Sequence, residues 1–398
     1  MSQPSRRVAD VAVAPVAVPT DVSPAVAARL RRPVPLYWAS FLVIGLSLSI
    51  LGPALTELRD RSGAGIGSIG VLFAGQAAGY VIGSFAGGVL YDRFDGHRLF
   101  AAALTLVAFG LFLVPSFTSL PPLFVAFALV GTGAATADVG ANAMLMWELG
   151  PGTGRAMNVL HLCFGLGALI APLVVYVGLD LAVRGGAVAC LVLAVWSQRV
   201  PAPRVRIATV DQDADTTWRL LMLLATFFFL YVGLEVGFAG WIRTYGEEID
   251  LGGLAATWLT TVFWIGFTVG RVLSSANGQR VRPKVVLAIS CGVTVVVAGV
   301  LVVGDGRPAP VWVGVGLMGL ATAPQFPVML TYLERRIHVT GYATSWFVGA
   351  AGLGGLTFPW LIGRWFDASG AAALPWSMLG LSVLTLGSFL VSNRTLGG

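Results

Sequence analysis

Apolar stretches of about 20 residues recur from residue 36 to the end of the chain, each long enough to cross a hydrocarbon core of roughly 30 Å as a helix. No other feature limits the fold as strongly. Hydrocarbon offers no water to the backbone, so a spanning chain must be a bundle of helices or a closed barrel. Continuous apolar runs of this length predict helices. Composition agrees: of 398 residues, 56% are hydrophobic and 11% charged, where a soluble domain carries about 25% charged. Mean hydropathy is +0.82. The net charge of +6 then reads as loop charge that sets orientation in a bilayer, with no nucleic-acid partner implied.

Twelve spans are predicted, near 36–58, 66–91, 99–117, 122–147, 156–177, 183–198, 218–243, 254–275, 284–304, 310–332, 341–363 and 373–392. Residues 1–35 read as a disordered cytoplasmic tail, since "VAVAPVAVPT" is too short and proline-rich for the core of a signal peptide. Residues 36–198 form a first six-helix bundle. The polar stretch 199–217, "VPAPRVRIATVDQDADTTW", is a cytoplasmic linker, and 218–398 hold a second bundle and a short tail. With the N-terminus inside, only Arg59, Arg61, Arg184, Arg243, Arg307 and Arg364 of the 25 basic residues fall outside. The other 19, Arg271 among them, count as inside charges, which places both termini in the cytoplasm. Cys163, Cys190 and Cys291 lie in apolar segments with no metal or disulfide spacing.

The two halves repeat. "GRAMNVLHLCFGLGALIAP" (154–172) aligns with "GYATSWFVGAAGLGGLTFP" (341–359) at a constant offset, and "IGSFAGGVL" (82–90) aligns with "IGFTVGRVL" (265–273). Span 5 thus matches span 11, and span 2 matches span 8. Parallel six-helix repeats are one way transporters are built, with the substrate site near the midplane between the halves. Span 2 also carries Gly75, Gly79, Gly83 and Gly87, a four-residue ladder that predicts a close helix contact.

The turn after span 2, "GGVLYDRFDGHRLF" (87–100), resembles the signature loop of the major facilitator superfamily, with Gly88, Leu90, Asp92 and Arg93 matching. Asp95 stands where a glycine is usual. The resemblance implies that Asp92, with Gly88 and Arg93, forms a cytoplasmic gate by capping the N-terminus of span 11, where a carboxylate meets free N–H groups. "LGPALTEL" (51–58), "NAMLMW" (142–147), "FFFLYVGLEVGFAGWIRTY" (227–245) and "ERRIHVTGYATSWF" (334–347) resemble the sodium-dependent glucose transporter branch. "GTGAATADVGAN" (131–142) is similar to the fourth span of fucose–proton symporters, which implies a sugar-site and proton-coupling role for Asp138, with Asn142 beside it. The second acid of those symporters is absent, since Ser49 takes its place. The span 4 arginine of proton-driven drug exporters is also missing, with Phe127 at that position, and so is their span 5 motif.

Polar residues within the spans are the candidate site. An acid at the bilayer centre costs on the order of 3 kcal/mol to insert. Asp138 falls near the midplane of span 4, and Asn142 shares its face one turn inward. Glu235 lies on span 7, in its outer half, as a second candidate for substrate or coupling ion. Glu57 and Arg243 sit near outer helix ends and read as interfacial. Asn158 and His161 share a face of span 5, and a histidine there suits proton shuttling or hydrogen bonding. Gln76 and Gln325 can both donate and accept, which suits hydroxyl-rich ligands or interhelical bonds. Trp264 and Trp346, inside spans 8 and 11, are candidates for stacking on a sugar face.

These features predict an all-α membrane protein of twelve helices in two pseudo-symmetric bundles. It is expected to be a monomeric, non-enzymatic transporter working by alternating access in the cell membrane. Its expected substrate is a hexose-like sugar, moved with H⁺ or Na⁺ and no cofactor. The alternatives are an exporter of drugs or amphiphilic molecules on the same fold, and a non-transporting membrane sensor. No nucleotide loop, zinc-protease motif or nucleophile motif is present.

Overall fold

The computed structural model describes residues 33–149, 153–203, 218–277, 281–334 and 341–397. Most of the N-terminal tail and residues 204–217 of the linker lie outside the described residues. Among those described there is no strand. Ten helical stretches are long and apolar enough to cross a membrane, or eleven when a bent pair counts as one. The last stretch, Gly349–Thr395, has 47 residues, enough at about 1.5 Å per residue for two crossings. It covers most of span 11 (Gly341–Ser369) and of span 12 (Ala373–Gly397), parted at Gly370, whose φ of +60° turns the chain.

The other spans are 2 (Ile66–Ile69 continued by Val71–Tyr91), 3 (Gly96–Leu113), 4 (Leu120–Leu149), 5 (Thr153–Val177), 6 (Leu179–Ser197), 7 (Trp218–Glu248), 8 (Gly253–Asn277) and 9 (Pro283–Gly304). Prolines explain the two remaining, broken spans. Span 1 is Val34–Ser49 and Leu51–Ser62, bent by 40°. Pro53 lacks an N–H for the Ser49 carbonyl, and its ring crowds that oxygen. Span 10 is Pro308–Thr322 and Gln325–Glu334, interrupted at Pro324 but still one membrane-length stretch, Pro308–Leu333, as expected.

The repeat seen in the sequence is a repeat of contacts. The glycine ladder of span 2 packs on span 4: a Cβ at Gly79 would fall on the Ala128 carbonyl, and one at Gly83 on that of Thr132. In return, Thr136 Oγ1 donates to Gly83 O at 3.1 Å. Span 8 meets span 10 in the same way, with Gly266 against Gly316 and Gly319 against Phe263. Spans 1 and 5 touch through Gly45 and Gly167, and spans 7 and 11 through Gly354. Small residues let backbones approach to where dispersion replaces the hydrophobic drive that lipid removes.

Two seams join the halves, span 2 on span 11 and span 5 on span 8. On the face that the charge bias assigns to the outside, the halves are also bonded. Gly67 N donates to Asp367 Oδ1 at 2.8 Å, Thr56 donates to Glu247, and Arg243 donates to the Pro53 carbonyl. Trp241, fully buried, packs on Phe73 across this end and donates to Pro359 O at 2.8 Å. Arg243 therefore acts in the contact between halves, and the interfacial role expected for it is corrected.

At the opposite face, Asp92 and Arg93 are exposed, and among the described residues nothing hydrogen-bonds to or pairs with the Asp92 carboxylate. A Cβ at Gly88 would meet nothing within 4 Å. Asp95 caps span 3, accepting from Arg98 N at 3.0 Å. A capping side chain there accounts for an aspartate where the loop pattern has glycine.

Candidate functional site

The ladder contact brings Tyr80, one residue after Gly79, to the middle of span 4. There the Tyr80 hydroxyl donates to Asp138 Oδ2. Asn142 Nδ2 donates to Asp138 Oδ1 at 2.7 Å and to the Asp138 backbone carbonyl at 2.9 Å. Asp138, Asn142 and Tyr80 are all half-buried. The helical spacing that predicted the Asp138–Asn142 pair is therefore realised as a bond, and Tyr80 completes it. Both partners are neutral. Each carboxylate oxygen keeps acceptor capacity for a further donor, and no ion pair to Asp138 forms among the described residues.

A second acid–tyrosine pair stands in the other half. Tyr231, fully buried, donates to Glu235 one turn along span 7. Span 7 runs from Trp218 to Glu248, so Glu235 sits close to its middle, just on the outer side, where it was expected. Arg271 of span 8 lies beside Glu235 and Tyr231 and acts on them electrostatically. Its guanidinium also covers the Phe267 ring at 4.9 Å, and its Nε has no hydrogen-bond partner among the described residues. Arg271, counted as an inside charge, lies within span 8 toward its inner end. Its position was legible, because the repeat alignment sets it opposite Gly88, inside the predicted span 8. Tyr231, four residues before an acid, was legible too. Tyr80 was not, since only the helix contact brings it to Asp138.

On span 5, Asn158 and His161 are exposed on one face, and the His161 ring meets Phe41 edge-on at 5.7 Å. His161 also feels the charge of Arg271 across the seam. The remaining candidates are elsewhere. Gln76 is buried and donates to Leu48 O at 3.0 Å, tying spans 1 and 2 near the bend. Gln325 is fully buried at the break in span 10 and donates to Ala321 O at 3.3 Å. Trp264 is 7% exposed and packed on Phe263 and Phe267. Trp346 is exposed beside Trp218, ring centroids 5.3 Å apart. Among the described contacts, Gln76, Gln325 and Trp264 meet neither acid. Among the described residues no group of three or more His, Cys, Asp or Glu could hold a metal ion, and the three cysteines are free.

Comparison with known proteins places this arrangement. The chain is 25% identical to mouse sodium-dependent glucose transporter 1A over 372 residues, covering 82% of this chain and 88% of that one. It is 26% identical to human sodium-dependent glucose transporter 1, covering 82% and 72%. Human major facilitator superfamily domain-containing protein 4A is 23% identical, covering 86% and 88%. Among solved structures, a variant of the nucleoside transporter NupG superposes with a TM-score of 0.75 at 16% identity, covering 90% of this chain and 98% of that one. The sequence pattern of the Major Facilitator Superfamily matches residues 37–359, and the chain, a non-enzymatic multi-pass membrane transporter, belongs to that superfamily.

Proposed function

We propose that this transporter takes up a hexose-like sugar together with H⁺ or Na⁺, through alternating exposure of a site between its halves. The observation that carries this reading is Asp138: an acid in the middle of a span, part-buried, held by two neutral side chains and by no cationic side chain among the described residues. A lone negative charge in a low-dielectric site needs a counter-charge. A coupling cation supplies one, and sugar hydroxyls supply the donors that the remaining lone pairs accept. Glu235 differs, because Arg271 stands beside it. Coupling is therefore assigned to Asp138, and Glu235, Arg271, Asn158 and His161 are assigned to binding or positioning. The names of the sodium-dependent glucose transporters among the relatives support the substrate class. The charge bias supports a cell-membrane orientation with both termini cytoplasmic.

Thermal stabilisation of the purified protein tests the substrate class. A ligand present at 100 times its Kd stabilises the folded state by about 2.7 kcal/mol. A hexose should raise the melting temperature, and more so with the coupling ion present. Stabilisation by amphiphilic drugs and by no sugar would replace this reading with the exporter.

A further inference from the structure

Spans 2 and 11 pack antiparallel along one seam, so the C-terminal end of each lies at the N-terminal end of the other, on opposite faces. An aspartate stands near the C-terminal end of both: Asp92 follows Tyr91 of span 2, and Asp367 precedes Ser369 of span 11. The first backbone N–H groups of a helix have no partner within it. Span 2, continuous as a 26-residue stretch from Ile66 to Tyr91, begins at Gly65, whose lack of a side chain leaves the helix without its own cap. Asp367 of the other half supplies that cap, its Oδ1 accepting from Gly67 N at 2.8 Å. Gly67 has to be glycine for this, because a Cβ there would fall on the Asp367 carboxylate and reach the Arg364 Cα at 3.2 Å.

We propose that Asp367 and the N-terminus of span 2 form a latch that holds the outer face shut and must part for that face to open. The state of the other end fits a reciprocal device. With Asp367 engaged, Asp92 is exposed and its carboxylate has no bonded partner among the described residues. The two ends of one helix pair then exchange caps, one made while the other is broken. The position matching Asp367 under the repeat is Asp180, which has a different job. It binds Arg61 at 3.2 Å, within its own half, and Arg184 one turn along its own helix at 3.8 Å. The latch is thus a property of one seam and not of both. It rests on the transporter reading, but not on the substrate or the ion.

Distances between spin labels test it without any substrate. In a cysteine-free background, one label pair at Asp60 and Ala372 reads the outer face, and a second at Phe94 and Lys284 reads the inner. A charge cap at a helix N-terminus changes a two-state population by about two- to fivefold. Asp367→Asn should lengthen the outer distances and shorten the inner ones by a shift of that size. Gly67→Ala, which keeps the carboxylate but displaces it, should shift the same way. Asp180→Asn should leave both distributions as in the parent. The latch is refuted if Asp367→Asn and Gly67→Ala leave the outer distances unchanged. It is equally refuted if Asp180→Asn moves them as far.

Discussion

A part-buried guanidinium whose charge acts on a nearby carboxylate is a partnership that either member alone makes worse. Arg271→Gln should therefore lower the melting temperature by leaving Glu235 uncompensated, and Glu235→Gln added to it should recover part of the loss. The coupling energy from the four melting curves should lie within roughly 0.5–3 kcal/mol; simple additivity would separate the two residues. At this scale the site was half legible in the sequence. An acid and an amide four apart in an apolar run announce a shared helix face, and Asp138 and Asn142 are bonded. The place of Arg271 in span 8 was legible, but its nearness to Glu235 was not, because a count of charges for topology does not see which helices meet. Gln76 and Trp264 kept two readings open for a related reason. Polarity and aromaticity suit a ligand and a helix contact equally, and only packing chose the contact.

Helix contacts in this chain are set by glycine, and their tolerance differs sharply along one span. Gly79→Ala places a methyl on the Ala128 carbonyl, an overpacking that costs about 1–3 kcal/mol and pushes Tyr80 away from Asp138. Gly88→Ala, on open space, should cost nothing, and the gain in helix propensity favours it by up to about 1 kcal/mol. Thermal melts of the two variants check the contrast; equal losses would mean that the ladder is not the contact that positions Tyr80. The elements themselves were the most legible level, because apolar length and the internal repeat dictate them directly. The break in span 10 was less so. Pro324 sits inside an apolar run, and proline within a span bends one helix, as at Pro53, while Pro172 and Pro359 lie inside helices that continue. Which outcome occurs depends on neighbours that satisfy the freed carbonyls.

For the molecule as a whole, orientation and coupling remain as separate claims with separate tests. Cysteines introduced at Phe94, exposed in the turn after span 2, and at Ala208 should resist an impermeant thiol reagent in intact cells and react after lysis; labelling in sealed cells would invert the orientation. The fold joins the two halves by seams and an outer latch around mid-span acids, and Asp138 is the one whose partners carry no charge. Replacing it tests the account most directly. In proteoliposomes, Asp138→Asn should abolish accumulation of hexose against its gradient under an imposed H⁺ or Na⁺ gradient. It should still permit counterflow exchange, because the amide keeps hydrogen bonds for the sugar while losing the charge for the ion. Normal uphill accumulation by Asp138→Asn would contradict the account.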